Sequence, residues 1–444
     1  MLVFSAYATL SIASYERFTA HSYDLGIFEQ VIRQYAHLHA PIAHIKGVNT
    51  NALGDHFSPL LAILAPAYRV FPSAVTLQVE QAALFALSLV PITNLAMRHT
   101  SDARGLAIGA AYGLAWGLQQ AVAVDFHEIC LAVPLLALSL GAIVDRRWRA
   151  CALLALPLVL VKEDLGLTVA MIGICLLIRG QRRLGAGLAA FGTVASTLTI
   201  VVVMPALNPT GRYTYWSGLT AGHTHSAIAV LENLLDPPAT KLVTLAMIFG
   251  ITGFLALRSP LSLVAIPTLL WRFLADVPSY WGTDWHYNAV LMPIIFVALV
   301  DAITSCRGSR RRWLRAYARG IAPAVIAAAI SLSGQSPVGT LIDPATYRAG
   351  PSVAQARAAL AHIPSHTTVE TDPGLMAHLT KRCDVYFITR TGNPPPDYLV
   401  VATAWMPSIS NAAAFAQQLH PQTSYKLVYS SAAYQVAQRQ EASR

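Results

Sequence analysis

The sequence predicts an all-α polytopic membrane protein of about 11 transmembrane helices, followed by a small C-terminal α/β domain. Three observations predict it. Of 444 residues, 55% are hydrophobic and 12% are charged, against about 25% charged in an average soluble domain. Mean hydropathy is +0.50, and the apolar residues form long runs rather than helical or strand stripes. Short Arg clusters separate the runs: Arg146, Arg147 and Arg149, then Arg179, Arg182 and Arg183, then Arg307 through Arg319. Together these exclude a soluble globule, a disordered chain and a coiled coil. The net charge of +9 would suit nucleic acid, but its confinement to short loops is the positive-inside pattern instead. The five cysteines offer no pair in a shared oxidising compartment, so no disulfide framework is expected.

Anchoring topology on the Arg clusters places the N-terminus inside and the C-terminus outside. Met1 to Ala13 is apolar but spans only ~20 Å as a helix, so the helix extends through Tyr15 to Ala20 or the chain starts upstream; nothing basic precedes it to mark a signal peptide. A long outer loop (15–58) follows. Pro59 to Phe71 is short and Pro-interrupted, the pattern of a re-entrant or interfacial segment. Val75 to Met97 spans inward, Gly105 to Val124 outward, and after the outer turn 125–128 Ile129 to Val144 returns. Cys151 to Val161 and Leu165 to Ile178 form a hairpin around Lys162-Glu163-Asp164. Leu184 to Pro205 exits to an outer loop (206–240). Leu242 to Leu257 and Leu261 to Leu274 make a hairpin around Arg258-Ser259-Pro260, and a third outer loop (275–287) precedes Ala289 to Ile303. Ile321 to Leu332 exits once more, which bounds a transmembrane domain at 1–335. In the remaining 336–444, Ser352 to His362 reads as helix, while Asp384 to Thr389 and Asp397 to Ala402 carry the β-branched and aromatic residues of buried strands.

Sidedness sorts the polar residues. His21, His37, His39, His44, His56, His127, His223, His225 and His286 map to outer loops, as do Asp24, Asp55, Asp125, Glu128 and Asp284. Chemistry is therefore expected on the outer face. Asp24 precedes an amphipathic stretch, Ile27 to His39, that suits an interfacial helix; a carboxylate there serves as a general base or as a helix cap. In the turn Asp125-Phe126-His127-Glu128, two acids and an imidazole suit substrate orientation or a divalent ion, or are solvated loop polarity. Lys162, Glu163 and Asp164 lie between apolar runs, where charge is costly and marks function unless Lys162 is simply paired with its neighbours. Trp281 to Tyr287 joins aromatics of a membrane-interface belt to Asp284 and His286. Arg272 can pair a lipid phosphate or snorkel to the headgroups. There is no Gly-rich phosphate loop with a Lys, no zinc-type His/Cys spacing and no Gly-x-Ser-x-Gly elbow; His223 and His225 alternate in a loop, a weak metal signal.

The order Tyr-Asp-Leu-Gly-Ile-Phe-Glu-Gln (23–30), Gly-Asp-His-Phe-Ser-Pro (54–59), Phe-His-Glu (126–128), Val-Lys-Glu-Asp (161–164) and His-Tyr (286–287) resembles a prokaryotic family of predicted membrane proteins, domain of unknown function 2079. The run from Leu235 and Asp236-Pro237 through Ser259-Pro260 and the Arg-Cys-Asp-Val-Tyr and Asp-Tyr stretches of the tail fit it too. That family is similar in layout to GT-C glycosyltransferases, in which an acid follows the first span, a His-Pro-Pro-Leu-like segment lies further along the loop, and a second acidic motif occupies the next outer loop. Asp24 stands at the first acid, His56-Phe57-Ser58-Pro59-Leu60 at the later segment (Phe57-Ser58 depart from the double proline), and Asp125 and Glu128 at the second motif. The resemblance implies an inverting transferase in the bacterial plasma membrane, moving a sugar from a polyprenyl-phosphate donor to a glycan or lipid acceptor of the cell envelope. It implies Asp24, Asp55, His56 and Glu128 as catalytic residues. Asp125, His127, Lys162, Glu163, Asp164, Arg272, His286 and Tyr287 would bind substrate, with membrane lipids around them and no nucleic acid. No cofactor is named, though a divalent cation has ligands available. A transporter or lipid-handling protein, with Lys162-Glu163-Asp164 as a coupling site, is the alternative; a third is a non-catalytic scaffold that presents the tail domain.

Overall fold

The computed structural model describes residues 1–20, 22–215, 232, 234 and 236–440; His21, His223 and His225 lie outside the described residues. Helix α1 (Leu2–Glu16) packs against α4 (Ala74–His99). Between them come α2 (Ser22–Ala36), the one-turn 3-10 segments of the first loop, and α3 (Ala65–Val70). The expected span over Gly105 to Val124 is two helices, α5 (Asp102–Gly113) and α6 (Trp116–Val124). A break inside an apolar bundle leaves backbone carbonyls in need of donors. Here Tyr7 donates to Gly113 O at 2.8 Å and Gln119 Nε2 to Leu114 O at 2.7 Å.

Helices α7 (Ala132–Val144) and α8 (Trp148–Ala155) form one hairpin, and α9 (Leu165–Ile178) and α10 (Arg182–Leu207) a second. The Lys162-Glu163-Asp164 turn joins the far ends of α8 and α9, as the sequence predicts. Two glycines set the closeness of the second hairpin. A Cβ on Gly173 would stand 2.5 Å from Ala189 N, and one on Gly192 would stand 2.6 Å from Ala170 N. Small residues at such crossings let helix backbones approach where lipid supplies no competing hydrophobic drive. Helices α11 (Pro238–Gly250), α12 (Ile266–Leu274), α13 (Leu291–Cys306) and α14 (Arg312–Ser333) complete the bundle. Asp301 of α13 is buried and ties α9 to the α11–α12 turn, accepting from Arg179 Nη2 at 2.6 and 2.5 Å and from Ser259 Oγ at 2.6 Å.

Among the described residues, three helices (α4, α10 and α14) are individually long and apolar enough to cross a membrane, or four if the bent pair Pro278–Asn288 and α13 is one span. The remaining apolar helices, such as Trp148–Leu160 and Pro260–Leu274, run 10–17 residues, shorter than the ~20 residues a straight span requires. An eleven-span count therefore rests on these shorter pieces, and helix length alone does not give it.

The C-terminal part forms a five-stranded mixed sheet in the order β2-β1-β3-β5-β4. Its strands are β1 (Thr368–Thr371), β2 (Asp384–Phe387), β3 (Tyr398–Ala402), β4 (Tyr425–Ser430) and β5 (Tyr434–Arg439). β1 is parallel to β2 and β3, and β5 is antiparallel to β3 and β4. Alternation along β3 sends Tyr398, Val400 and Ala402 into the core shared with the bundle, while Leu399 and Val401 join a smaller core under Ala412–Leu419. Burial on both faces explains the uninterrupted apolar run that marks this strand in the sequence. All five cysteines are free and buried.

Gly192→Val should force the α9–α10 hairpin apart at a cost of about 1–3 kcal/mol, read as a lowered thermal midpoint of the full chain in detergent. At Gly187 on the same helix, a Cβ would meet open space, with nothing within 4 Å. Gly187→Val should therefore leave the midpoint unchanged; equal shifts would refute the packing argument.

A candidate active site at the end of the bundle

The helix containing Asp24 starts earlier than the amphipathic pattern indicates, at Ser22, which puts Asp24 inside its first turn rather than ahead of it. A carboxylate there suits the positive end of the helix dipole. Its side chain reaches across to the second turn: Asp24 Oδ2 lies 3.2 Å from His127 Nε2. The next residue reinforces the contact, Leu25 N–H donating to Asp125 Oδ2 at 3.2 Å. Gln81 of α4 shapes that turn from behind, giving Nε2–H to Asp125 O at 2.7 Å and accepting the His127 N–H at 3.0 Å. His127 Nδ1 in turn lies 3.1 Å from Asp125 Oδ1. The result is a carboxylate–imidazole–carboxylate line with Asp125 buried and Asp24 open at the front (side-chain exposure 1% and 37%).

The first loop and the α8–α9 turn meet on the opposite wall. Glu163 receives His56 Nδ1 at 3.0 Å and Phe57 N–H at 3.1 Å, and its backbone carbonyl accepts from Ser196 of α10 at 2.5 Å. Lys162 does not pair with its own neighbours. Its Nζ reaches Glu128 Oε1 at 2.8 Å. Lys46 pairs with Asp55 at 2.9 Å, and Tyr215 Oη lies 2.8 Å from His56 Nε2.

These groups line one cavity of about 1090 Å³. Of the residues the sequence singles out, Asp24, Asp55, His56, His127, Glu128, Lys162, Glu163, Asp164, His286 and Tyr287 face it; Asp125 and Arg272 stand behind it. Ile27, Phe28, Val31, Leu167, Ile200 and Val277 supply an apolar wall. His286 stacks on His127 with ring centroids 3.3 Å apart, and its buried Nδ1 has no hydrogen-bond partner among the described residues. Arg272 is fully buried, and its donors are committed: Nε to Tyr280 O at 2.7 Å, Nη1 to Asn288 Oδ1 at 2.9 Å and Nη2 to Gly282 O at 2.9 Å. It neither snorkels nor faces a phosphate in the cavity; it fixes the loop that carries Tyr280, His286 and Tyr287. Asp284 is exposed, bonded only to Thr283 among the described residues.

Four polar residues of the cavity's mouth and walls are among those that escaped the sequence reading. Lys46 and Tyr215 lie in loops without a distinguishing pattern, Tyr280 lies in a loop noted for other residues, and Arg390 comes from the C-terminal sheet, its guanidinium donating to Lys46 O. No local signal joins residue 390 to residue 46.

Electrostatics follow from this enclosure. Burial pushes the Asp24 carboxyl up, but the His127 hydrogen bond and the charges of His127, Lys46 and His56 outweigh it and hold the group below its usual range. Burial opposes charging of His56, yet the Glu163 carboxylate wins and raises its imidazole. His286 is driven well below its ordinary value by burial and by His127 and Lys162. The cavity thus presents an ionised Asp24, a protonation-prone His56 and a neutral His286. One ligand atom each from Asp24, Asp125 and His127 lie within 4.8 Å of one another, close enough to hold a metal ion.

Arg272→Met strands three acceptors, at about 1 kcal/mol or more each. Thermal unfolding of the full chain in detergent should therefore show a larger loss than Asp24→Asn gives, and similar losses would count against its positioning role.

Solved structures that share the fold include ArnT from Cupriavidus metallidurans bound to undecaprenyl phosphate (14% identity, TM-score 0.52, 97% of both chains covered) and the same protein in the apo state (13% identity, TM-score 0.50, 97% of this chain and 96% of that one). At this identity the likeness is one of fold. No curated protein sequence matches the chain. The family model described as "Predicted membrane protein (DUF2079)" matches residues 14–441. The chain, a multi-pass membrane protein, therefore belongs to the DUF2079 family.

Proposed function

We propose that this protein is an inverting membrane glycosyltransferase of GT-C type. In this reading it moves a sugar from a polyprenyl-phosphate donor to a glycan or lipid acceptor of the cell envelope, on the outer face of the bacterial plasma membrane. About eleven spans, an inner N-terminus and an outer 336–444 domain complete the topology. One observation carries the reading: the Asp24 carboxyl, with Oδ1 unengaged among the described residues, opens into a cavity that joins fixed cations to an apolar wall. Such a cavity suits a ligand with a charged head and a hydrocarbon tail. The fold shared with ArnT, crystallised with undecaprenyl phosphate, supports that ligand class.

Asp24 accepts the proton of the acceptor hydroxyl as its oxygen attacks the anomeric carbon. The bond from that carbon to the phosphate oxygen breaks on the opposite face, and the polyprenyl phosphate departs with the electron pair. One displacement inverts the configuration. Lys162, His56 and Lys46 balance the charge that develops on the leaving phosphate. Their own partners (Glu128, Glu163 and Asp55) hold them in place before the ligand arrives. Arg272, which the sequence offers as a lipid-phosphate partner, and His286 are less suited to this role: the nitrogens of one already donate within its loop and the imidazole of the other is driven toward its neutral form. His286 and Tyr287 are left to contact the sugar.

Asp24→Asn should lower transfer by about 10²-fold or more with protein abundance unchanged. The readout is loss of an envelope glycan and accumulation of a polyprenyl-linked sugar. Unchanged glycans would refute the reading, and a solute-uptake defect in their place would favour a transporter. A second expectation concerns pH. His127 holds the Asp24 carboxyl down against burial, so His127→Gln lets it rise, and the acid limb of the kcat/KM profile should move to higher pH. An unmoved limb would separate Asp24 from the base role.

A further inference from the structure

The α7–α8 and α9–α10 hairpins each turn, at 145–147 and 179–181, at the end of the bundle opposite Lys162-Glu163-Asp164. Between these turns lies a hollow of about 750 Å³ whose lining includes Arg147, Arg149, Arg182 and Arg183, with Trp148 among them and no acid. Two neighbouring arginines at this end serve the fold: Arg179 is bound to Asp301, and Arg98 pairs with Asp145 at 2.6 Å. The four in the hollow differ. They are exposed, and their guanidinium groups make no hydrogen bond or ion pair with any described residue. Orientation in the membrane requires basic residues in such loops but does not require that two separate hairpins bring them to one concavity. The first turns of α8 and α10 also open here, both without a side-chain cap, and their N–H groups add to the positive field.

Apolar surface continues below the charges. On α10, Phe191, Val194, Leu198 and Val201 follow Arg183 at spacings that keep one helix face, and all four are exposed. On α8 and its 3-10 extension, Leu153 lies four residues after Arg149, with Leu156 and Leu160 beyond it, exposed too. A bidentate donor such as Arg matches a phosphodiester, and apolar faces beneath it match acyl chains. An indole at the level of the headgroups completes the arrangement.

We propose that this hollow is a binding site for an anionic phospholipid of the leaflet opposite the cavity, its phosphate held by Arg147, Arg149, Arg182 and Arg183 and its chains laid along α8 and α10. The site is separate from the proposed transferase chemistry and stands or falls independently of it.

The test uses the full chain purified in a neutral detergent and titrated with phosphatidylglycerol, phosphatidylcholine or inorganic phosphate. Thermal midpoint and lipid adducts in native mass spectrometry are the readouts. Phosphatidylglycerol should raise the midpoint and be retained; phosphatidylcholine and inorganic phosphate should do neither. Replacing all four arginines (R147Q, R149Q, R182Q, R183Q) should weaken phosphatidylglycerol binding about tenfold or more while the lipid-free midpoint stays as in the parent. R310Q with R312Q, which removes equal-sign charge outside the hollow, should leave binding intact. Equal response to phosphatidylcholine, equal response to phosphate, or equal weakening by the R310Q/R312Q pair would overturn the assignment. If the fourfold variant fails to fold, R149Q and R183Q are read singly, and full retention of the lipid by both would overturn it as well.

Discussion

The contact on which the cavity depends is the clamp between the first turn of α2 and the turn after α6. Leu25 N–H bonds to Asp125, and Asp24 meets His127. Gln81 fixes the second turn through both its amide atoms. The same α2 helix holds the C-terminal part: Gln30 Nε2 donates to Val385 O at 2.9 Å, and Arg33 bonds to Thr380 O, Cys383 O and the Asp384 carboxylate. Position and orientation of α2 therefore set the Asp24 wall of the cavity and tie it to the C-terminal part.

Burial of charge imposes the rest. A lone ion in an apolar bundle is costly, and pairing offsets much of that cost without making the pair a source of stability. Four cations of the described residues have acid partners chosen by geometry: Lys162 with Glu128, His56 with Glu163, Lys46 with Asp55, Arg179 with Asp301. Breaking one pair leaves its partner uncompensated, so the charged walls behave as a unit. The unpaired arginines at the other end are exposed, where water or lipid headgroups meet their charge.

Much of the plan was legible in the sequence. Apolar runs marked α4, α10 and α13, and the Lys162-Glu163-Asp164 hairpin fell where its flanking basic clusters placed it. Asp24, His56, Glu128 and Glu163 stood out because acids and histidines are rare in such a chain. Other features were not legible. The break at Leu114-Ala115 depends on donors from Tyr7 and Gln119, one of them more than 100 residues away. The 22–36 helix begins before its apolar periodicity does, because its first turn faces the polar cavity.

The sequence by itself determined which side chains carry charge, the approximate order of the helices and the strands dense in β-branched residues, since those properties belong to composition and local periodicity. Tertiary structure decided partnership. It gave Lys162 to Glu128 rather than to its neighbours, turned Arg272 from a phosphate ligand into a brace for its loop, and brought Arg390 of the C-terminal sheet to the mouth beside Lys46. The reason is physical: whether a charged group is spent or available depends on distances across the fold, and periodicity holds no information about them.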